Sequence, residues 1–251
     1  MDFGFVKKRK IGLALGGGAA LGALHIGVLK ALEEKKIKID YISGTSAGAL
    51  IAAFYAFGKT PDEIEKLALD LKWLKISAPV FSKMGFLSND KMSKLIINNI
   101  GNVNIEDAKI PLSIVAANIN TGEKVILEKG KLHDAVMASA CIPGVFKPVK
   151  INNVLLVDGG IVESVPISPL KYSKANYIIA VDLQNRGLSN ATNLINVVTN
   201  SIKIALNSNS QVLFAKPDIH IRPNLRSFNL SDSNQVKQLI ELGYNETIKK
   251  L

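Results

Sequence analysis

The 251 residues suffice for one large core or two small domains, and with 47% hydrophobic residues no stretch has a disordered composition. A formal charge of +10 predicts attraction to an anionic surface, either nucleic acid or phospholipid, beside the plainer reading of a solvated basic surface. No Arg-rich arm, aromatic-interleaved basic stretch or nucleic-acid module is present, which argues against nucleic acid, and the single cysteine, Cys141, excludes an intramolecular disulfide and a cysteine-rich metal site.

The chain opens with Phe3, Phe5 and the basic run Lys7-Lys8-Arg9-Lys10, read as a basic tail over 1–10. It lacks the apolar core and cleavage site of a plain secretory signal, and with one cysteine it suits a reducing, cytoplasmic compartment. Residues 11–29 carry no formal charge, yet the glycine cluster inside them argues against a transmembrane helix. Ile11 to Leu15 reads as a strand, Gly16-Gly17-Gly18 as a loop, and Ala19 to Lys36 as a helix with apolar residues at Leu21, Leu24, Val28, Leu29 and Leu32. Ile39 to Ser43 is a second strand and Ala49 to Phe57 a second helix, a β-α-β-α opening with a parallel pair.

Thr60-Pro61-Asp62-Glu63 combines an N-cap threonine, a proline at the first helical position and a capping-box glutamate, so a helix is expected to about Lys72. Ser77 to Leu87 reads as an irregular apolar segment before a helix from Asn89 to Asn99. Pro111 to Asn118 and Lys124 to Glu128 form a hairpin around Asn120-Thr121-Gly122-Glu123. A helix over Lys131 to Ala140 follows, then strands at Val154 to Val157 and Tyr177 to Asp182. A helix over Leu194 to Asn207, a strand at Ile219 to Ile221 and a helix from Ser231 toward Lys249 complete an α/β chain, with 11–251 as a single domain.

Chemistry concentrates at Gly44-Thr45-Ser46-Ala47-Gly48, a strand-turn-helix junction with the pattern of a nucleophile elbow. Acyl transfer also needs a proton acceptor and donors for the developing oxyanion. Glycine backbone between a strand end and a helix can bring N–H groups against a ligand, so Gly16, Gly17 and Gly18 are candidate donors. Dinucleotide binding competes for the same loop, but a Gly-x-Gly-x-x-Gly register from Gly16 meets Leu21, and from Gly17 meets Ala19, although Asp40 lies near the ribose-binding distance. For the base, His25, His133 and His220 each have ordinary structural settings. His220 would complete a Ser46, Asp158, His220 order, whereas Asp158, at a strand end before Gly159-Gly160, has the stronger setting.

The chain resembles the bacterial patatin-like phospholipases in four ordered motifs: 13–20 with Gly22, the elbow 44–48, the stretch 138–146, and Val157-Asp158-Gly159-Gly160. The resemblance runs from about Ile11 to about Leu183. It implies a three-layer α/β/α fold with a mostly parallel central sheet, and a serine lipid acyl hydrolase (phospholipase A, lysophospholipase or carboxylesterase). In that reading Ser46 is the nucleophile and Asp158 its base, with no histidine, metal or cofactor. Gly16 to Gly18 hold the oxyanion, Gly44 and Gly48 support the elbow, and Gly159 and Gly160 support the aspartate loop. The implied partner is an acyl-ester lipid, and the basic balance of the chain adds a peripheral approach to the anionic inner face of a membrane.

Two departures stand out. Leu21 occupies a position where the family commonly has Arg or Lys, and Glu163 one where it commonly has Asn. A non-catalytic membrane- or partner-binding module on the same fold is the alternative.

Overall fold

The computed structural model describes residues 9–70, 78–79, 87–88, 90–184, 216–229 and 232–251, with isolated positions between 188 and 204. Its central sheet has eight strands: β1 (Ile11–Leu15), β2 (Tyr41–Thr45), β5 (Leu112–Asn118), β6 (Lys124–Leu127), β7 (Val149–Ile151), β8 (Val154–Asp158), β9 (Tyr177–Val181) and β10 (Ile219–Ile221). Their order is β10-β9-β1-β2-β5-β8-β7, with β6 also on β5. Every neighbour pair from β10 to β5 is parallel, while β5–β6, β5–β8 and β8–β7 are antiparallel, so the sheet is mixed and mostly parallel. A two-residue pairing of β3 (Ala78–Pro79) with β4 (Leu87–Ser88) brackets the segment read as irregular, most of which lies outside the described residues.

Strands buried on both faces should be almost wholly apolar, and β1 and β9 are. Side chains alternate across the sheet. Leu13 and Leu15 join the large core with Ile42, Ile179, and helices α1 (Leu24–Glu34) and α2 (Ala47–Ala56), together with the C-terminal helix Val236–Ile248. Ala14 and Ala180 face the other way, onto Ile167 and Leu170 of α6 (Ile167–Tyr172). Helices therefore cover both faces.

Several boundaries differ from the sequence reading for local reasons. The first helix begins as a 3-10 turn, Ala19–Ala23, entered through Ala19 at φ 49°, and turns α-helical only at Leu24. β2 starts at Tyr41, not Ile39, since Asp40 turns its carboxylate onto the Ile11 N–H (2.9 Å) and a Lys10 ammonium (3.4 Å). That occupies the residue considered for ribose binding. Helix α3 (Pro61–Asp70) has its expected capping box, with the Glu63 N–H on Thr60 Oγ1 (3.2 Å) and the Thr60 N–H on Glu63 Oε2 (2.8 Å). Strand β7 and helix α6 gave no sequence signal: β7 is three residues long, and α6 is six residues with Pro169 inside. The helices α4 (Asp90–Asn99) and α5 (Leu132–Ser139) stand where periodicity puts them. Of the 194–207 helix, only 196–198, 200, 201 and 204 are described, and those are helical. The tail over 1–8 lies outside the described residues.

One detail of register positions the site. β6 takes one edge of β5 across Ile114–Ala117, so β8, which pairs with Ala116–Asn118, must take the other edge, the one β2 leaves after Val115. Thr45 stands opposite Val115 and Asp158 opposite Ala116. The last residues of β2 and β8 are thus brought end to end.

Candidate active site

Ser46 follows β2 with φ 54° and ψ −122°, a conformation that costs a non-glycine residue on the order of 1–3 kcal/mol. Its neighbours explain how the turn is tolerated. A side chain on Gly44 would meet the Ala49 backbone at 2.5 Å, and one on Gly48 would collide with the Leu15 carbonyl. Hydrogen bonds then fix the turn. The Ser46 N–H donates to Ser139 Oγ (2.8 Å), whose hydroxyl donates to the Val115 carbonyl (2.6 Å), while the Ser46 carbonyl accepts from Ala49 N–H (2.9 Å). The serine sits half-buried at the N-terminus of α2, where the helix dipole favours negative charge.

Ser46 Oγ donates to Asp158 Oδ2 at 2.7 Å, and Gly160 N–H donates to Asp158 Oδ1 at 2.7 Å. Asp158 is buried, and burial pushes its carboxyl up to about 6, partly offset by those two hydrogen bonds. Near neutral pH it is an ionised carboxylate, more basic than an exposed one, in contact with a hydroxyl. Gly159 turns the chain away from the strand, its carbonyl accepting from the Val162 (3.0 Å) and Glu163 (2.8 Å) N–H groups.

The glycine loop lies beside the serine: a methyl placed on Gly17 would come 3.3 Å from Ser46 Cβ. Its amides are not equivalent. Gly16 N–H donates to the Val181 carbonyl (3.0 Å) and Gly17 N–H to the Ser164 carbonyl (3.0 Å), whereas Gly18 N–H meets no acceptor among the described residues. Of the three candidate donors, only Gly18 has a hydrogen without an acceptor among the described residues. The spacing of the motif carried no trace of this difference.

The histidines are elsewhere. His25 is fully buried, with Nε2–H on the Gly16 carbonyl (2.7 Å), and burial lowers it to about 4, against the smaller raising effect of that carbonyl. His133 Nδ1 meets Ser93 Oγ (3.2 Å) and Asp134 Oδ1 (3.1 Å). His220 Nε2 lies 3.5 Å from Asp182 Oδ2, so its carboxylate neighbour is Asp182, not Asp158. Among the described residues, no histidine hydrogen-bonds Ser46 or Asp158.

Both departures have structural explanations. Leu21 is fully buried in the large core, so no charge stands at that position. Glu163 is buried and pairs with Lys124 Nζ (3.0 Å), accepts from Ser168 N–H (2.8 Å), and through its carbonyl holds Thr45 Oγ1 (3.0 Å). It ties the aspartate loop to the strand that carries Ser46.

A family model for patatin-like phospholipase matches residues 13–171, a span that contains the glycine loop, Ser46 and Asp158. The chain belongs to the patatin-like phospholipase family. An uncharacterized NTE family protein of Mycobacterium bovis is 37% identical over 177 residues, covering 69% of this chain and 49% of that protein. Lysophospholipase NTE1 of Candida glabrata is 33% identical over 183 residues, covering 69% of this chain and 10% of that protein. The chain thus spans half or less of the length of these curated relatives. The crystal structure of VipD from Legionella pneumophila shares the patatin-like fold, with TM-score 0.59 at 14% identity over 96% of this chain and 66% of VipD.

Proposed function

We propose that this patatin-like phospholipase is a serine lipid acyl hydrolase working through a Ser46-Asp158 dyad. The observation that carries the reading is the 2.7 Å hydrogen bond from Ser46 Oγ to Asp158 Oδ2, made by a half-buried serine on a strained elbow. Ser46 Oγ attacks the ester carbonyl as Asp158 accepts its proton, and the carbonyl π pair moves onto oxygen. Collapse of the tetrahedral intermediate breaks the bond to the alcohol, which leaves with the proton from Asp158. Water, deprotonated by Asp158, then attacks the acyl-enzyme and releases the fatty acid with Ser46 restored.

The substrate class is a carboxylic ester of a lipid, a phospholipid or lysophospholipid. Family membership supports this, as does the lysophospholipase name of the yeast relative. Residues 11–251 act as one domain, working in the cytoplasm at an anionic membrane surface drawn by the net charge of +10. Arg9 and Lys10 stand at the start of β1, roughly 16 Å from the glycine loop at its end for a five-residue strand. Those two residues therefore do not concentrate the attraction at the glycine loop. Among the described residues no helix is long and apolar enough to cross a membrane.

The test is hydrolysis of a short p-nitrophenyl ester series by wild type, Ser46→Ala, Asp158→Asn and His220→Ala. The reading expects losses on the order of 10^3-fold or more in the first two and wild-type rates in the third. Wild-type rates in both dyad variants would sink it, and loss confined to His220→Ala would replace the dyad with a triad.

A further inference from the structure

Two peptide groups of the glycine loop are held from outside the loop. The peptide joining Gly16 and Gly17 has its carbonyl on His25 Nε2 (2.7 Å) and its N–H on the Ser164 carbonyl (3.0 Å), so both of its polar ends are committed. The next peptide, joining Gly17 and Gly18, has its carbonyl on the side-chain amide of Gln184, at 3.1 Å from Nε2. In a planar trans peptide the C=O and N–H point in opposite directions. The hold on the Gly17 carbonyl therefore turns the Gly18 N–H away from the Gln184 side, where it meets no acceptor among the described residues. Gly16 and Gly17 are buried, while Gly18 is half-buried and open to a ligand.

Gln184 is itself oriented. Its Nε2 also donates to Ser164 Oγ (2.8 Å), and its backbone N–H donates to Asp182 Oδ1 (2.7 Å). Asp182 Oδ2 in turn accepts from Arg222 Nε (3.0 Å), just past β10. A chain of polar contacts thus runs from the edge of the sheet to one peptide bond beside Ser46.

We propose that Gln184 is a positioning residue for the oxyanion site, setting the Gly17–Gly18 peptide so that the Gly18 N–H receives the charge developing on the substrate oxygen. The proposal rests on the acyl-hydrolase reading. When Ser46 adds to the ester, the carbonyl π pair becomes an alkoxide lone pair, and a donor already aimed at it needs no reorganisation. Without Gln184 that peptide can rotate, presenting its carbonyl to the alkoxide in place of its N–H.

The experiment compares wild type with Gln184→Met, a substitution of similar length that has no donor, on p-nitrophenyl acetate and its thiono analogue. Removing an oxyanion donor costs about a hundred- to a thousand-fold, so misaiming one is expected to lower kcat on the oxo ester by about ten- to a hundredfold with KM unchanged. The thiono ester develops its charge on sulfur, a poor acceptor, so its rate should fall far less and the oxo-to-thiono ratio should collapse. Wild-type kcat in the variant, or equal losses on both esters, overturns the proposal while leaving the hydrolase reading intact. A wild-type protein inert to both esters overturns the two together. Should Gln184→Met fail to fold, Ser164→Ala, which removes the second acceptor of the carboxamide, should lower the same ratio in the same direction, and an unchanged ratio there overturns the proposal.

Discussion

Strands β1 and β2 run side by side with Leu15 opposite Gly44, yet the turns that leave them are held in different ways. The turn after β2 is shaped first by sterics, since Gly44 and Gly48 leave no room for a side chain and the chain passes through Ser46 at φ 54°, and the hydrogen bonds of the Ser46 N–H and carbonyl then close it. In the turn after β1 the peptide groups are held one by one: the loop carbonyls accept from His25 and Gln184, and the loop N–H groups donate to the carbonyls of Val181 and Ser164. The first arrangement puts one serine hydroxyl at a fixed point and leaves little else adjustable. The second sets the direction of individual N–H groups, and that direction depends on partners from four other places in the chain.

If sterics hold the elbow, Gly48→Val should be the most damaging substitution. A branched side chain there meets the backbone carbonyls of Leu15 and Gly16, and backbone cannot be repacked, so a loss above roughly 4 kcal/mol is expected, read by urea unfolding. A variant within 1 kcal/mol of wild type would mean that the elbow has slack.

Asp158→Asn tests what the buried carboxylate costs the fold. The folded-state pKa of Asp158, about 6, lies above the ordinary carboxylate value of 3.8, so the native state binds more protons than the unfolded chain between those values. Stability from this group is full below pH 3.8 and is lost as pH rises through about 6. Asp158→Asn should therefore be more stable than wild type at pH 8, by up to about 3 kcal/mol, with the gain vanishing near pH 4. The same variant is expected to be inactive, so stability and activity move in opposite directions.

Ser139→Ala removes the acceptor of the Ser46 N–H and leaves that donor and the Val115 carbonyl without their partner. An expected loss of about 1–3 kcal/mol in chemical denaturation would accompany a slower Ser46. On the loop side, His25→Leu should cost no more than about 1–2 kcal/mol, because the Gly16 carbonyl it leaves unpaired is partly offset by removing a buried Nδ1 that has no partner. Ester hydrolysis should nevertheless fall measurably. If His25→Leu proved as destabilising as Gly48→Val, the contrast between the two turns would fail.

The contrast also explains what could be read from sequence. A steric turn is local: it needs small residues at fixed places around one serine, and 44–48 displays them. Asp158 is less legible, since its contact with Ser46 comes from the register that sets it opposite Ala116 while Thr45 stands opposite Val115. Its glycine pair marks a turn, and only the family resemblance marks it as the partner. The hydrogen-bonded loop is least legible. Gly16, Gly17 and Gly18 look alike in sequence, and Val181, Ser164 and Gln184, whose contacts separate them, lie more than a hundred residues away. Short elements such as β7 and α6 escaped for a related reason, being held by neighbours and not by their own periodicity.

The central claim is that Asp158, and no histidine, takes the proton from Ser46. The most direct measurement is kcat/KM for a p-nitrophenyl ester against pH, on wild type and on His220→Ala. With the carboxyl of Asp158 raised to about 6 by burial, both proteins should show one rising limb centred near pH 6 and a plateau above it. A profile flat from pH 5 to 8, or a limb that disappears with His220, would contradict the dyad.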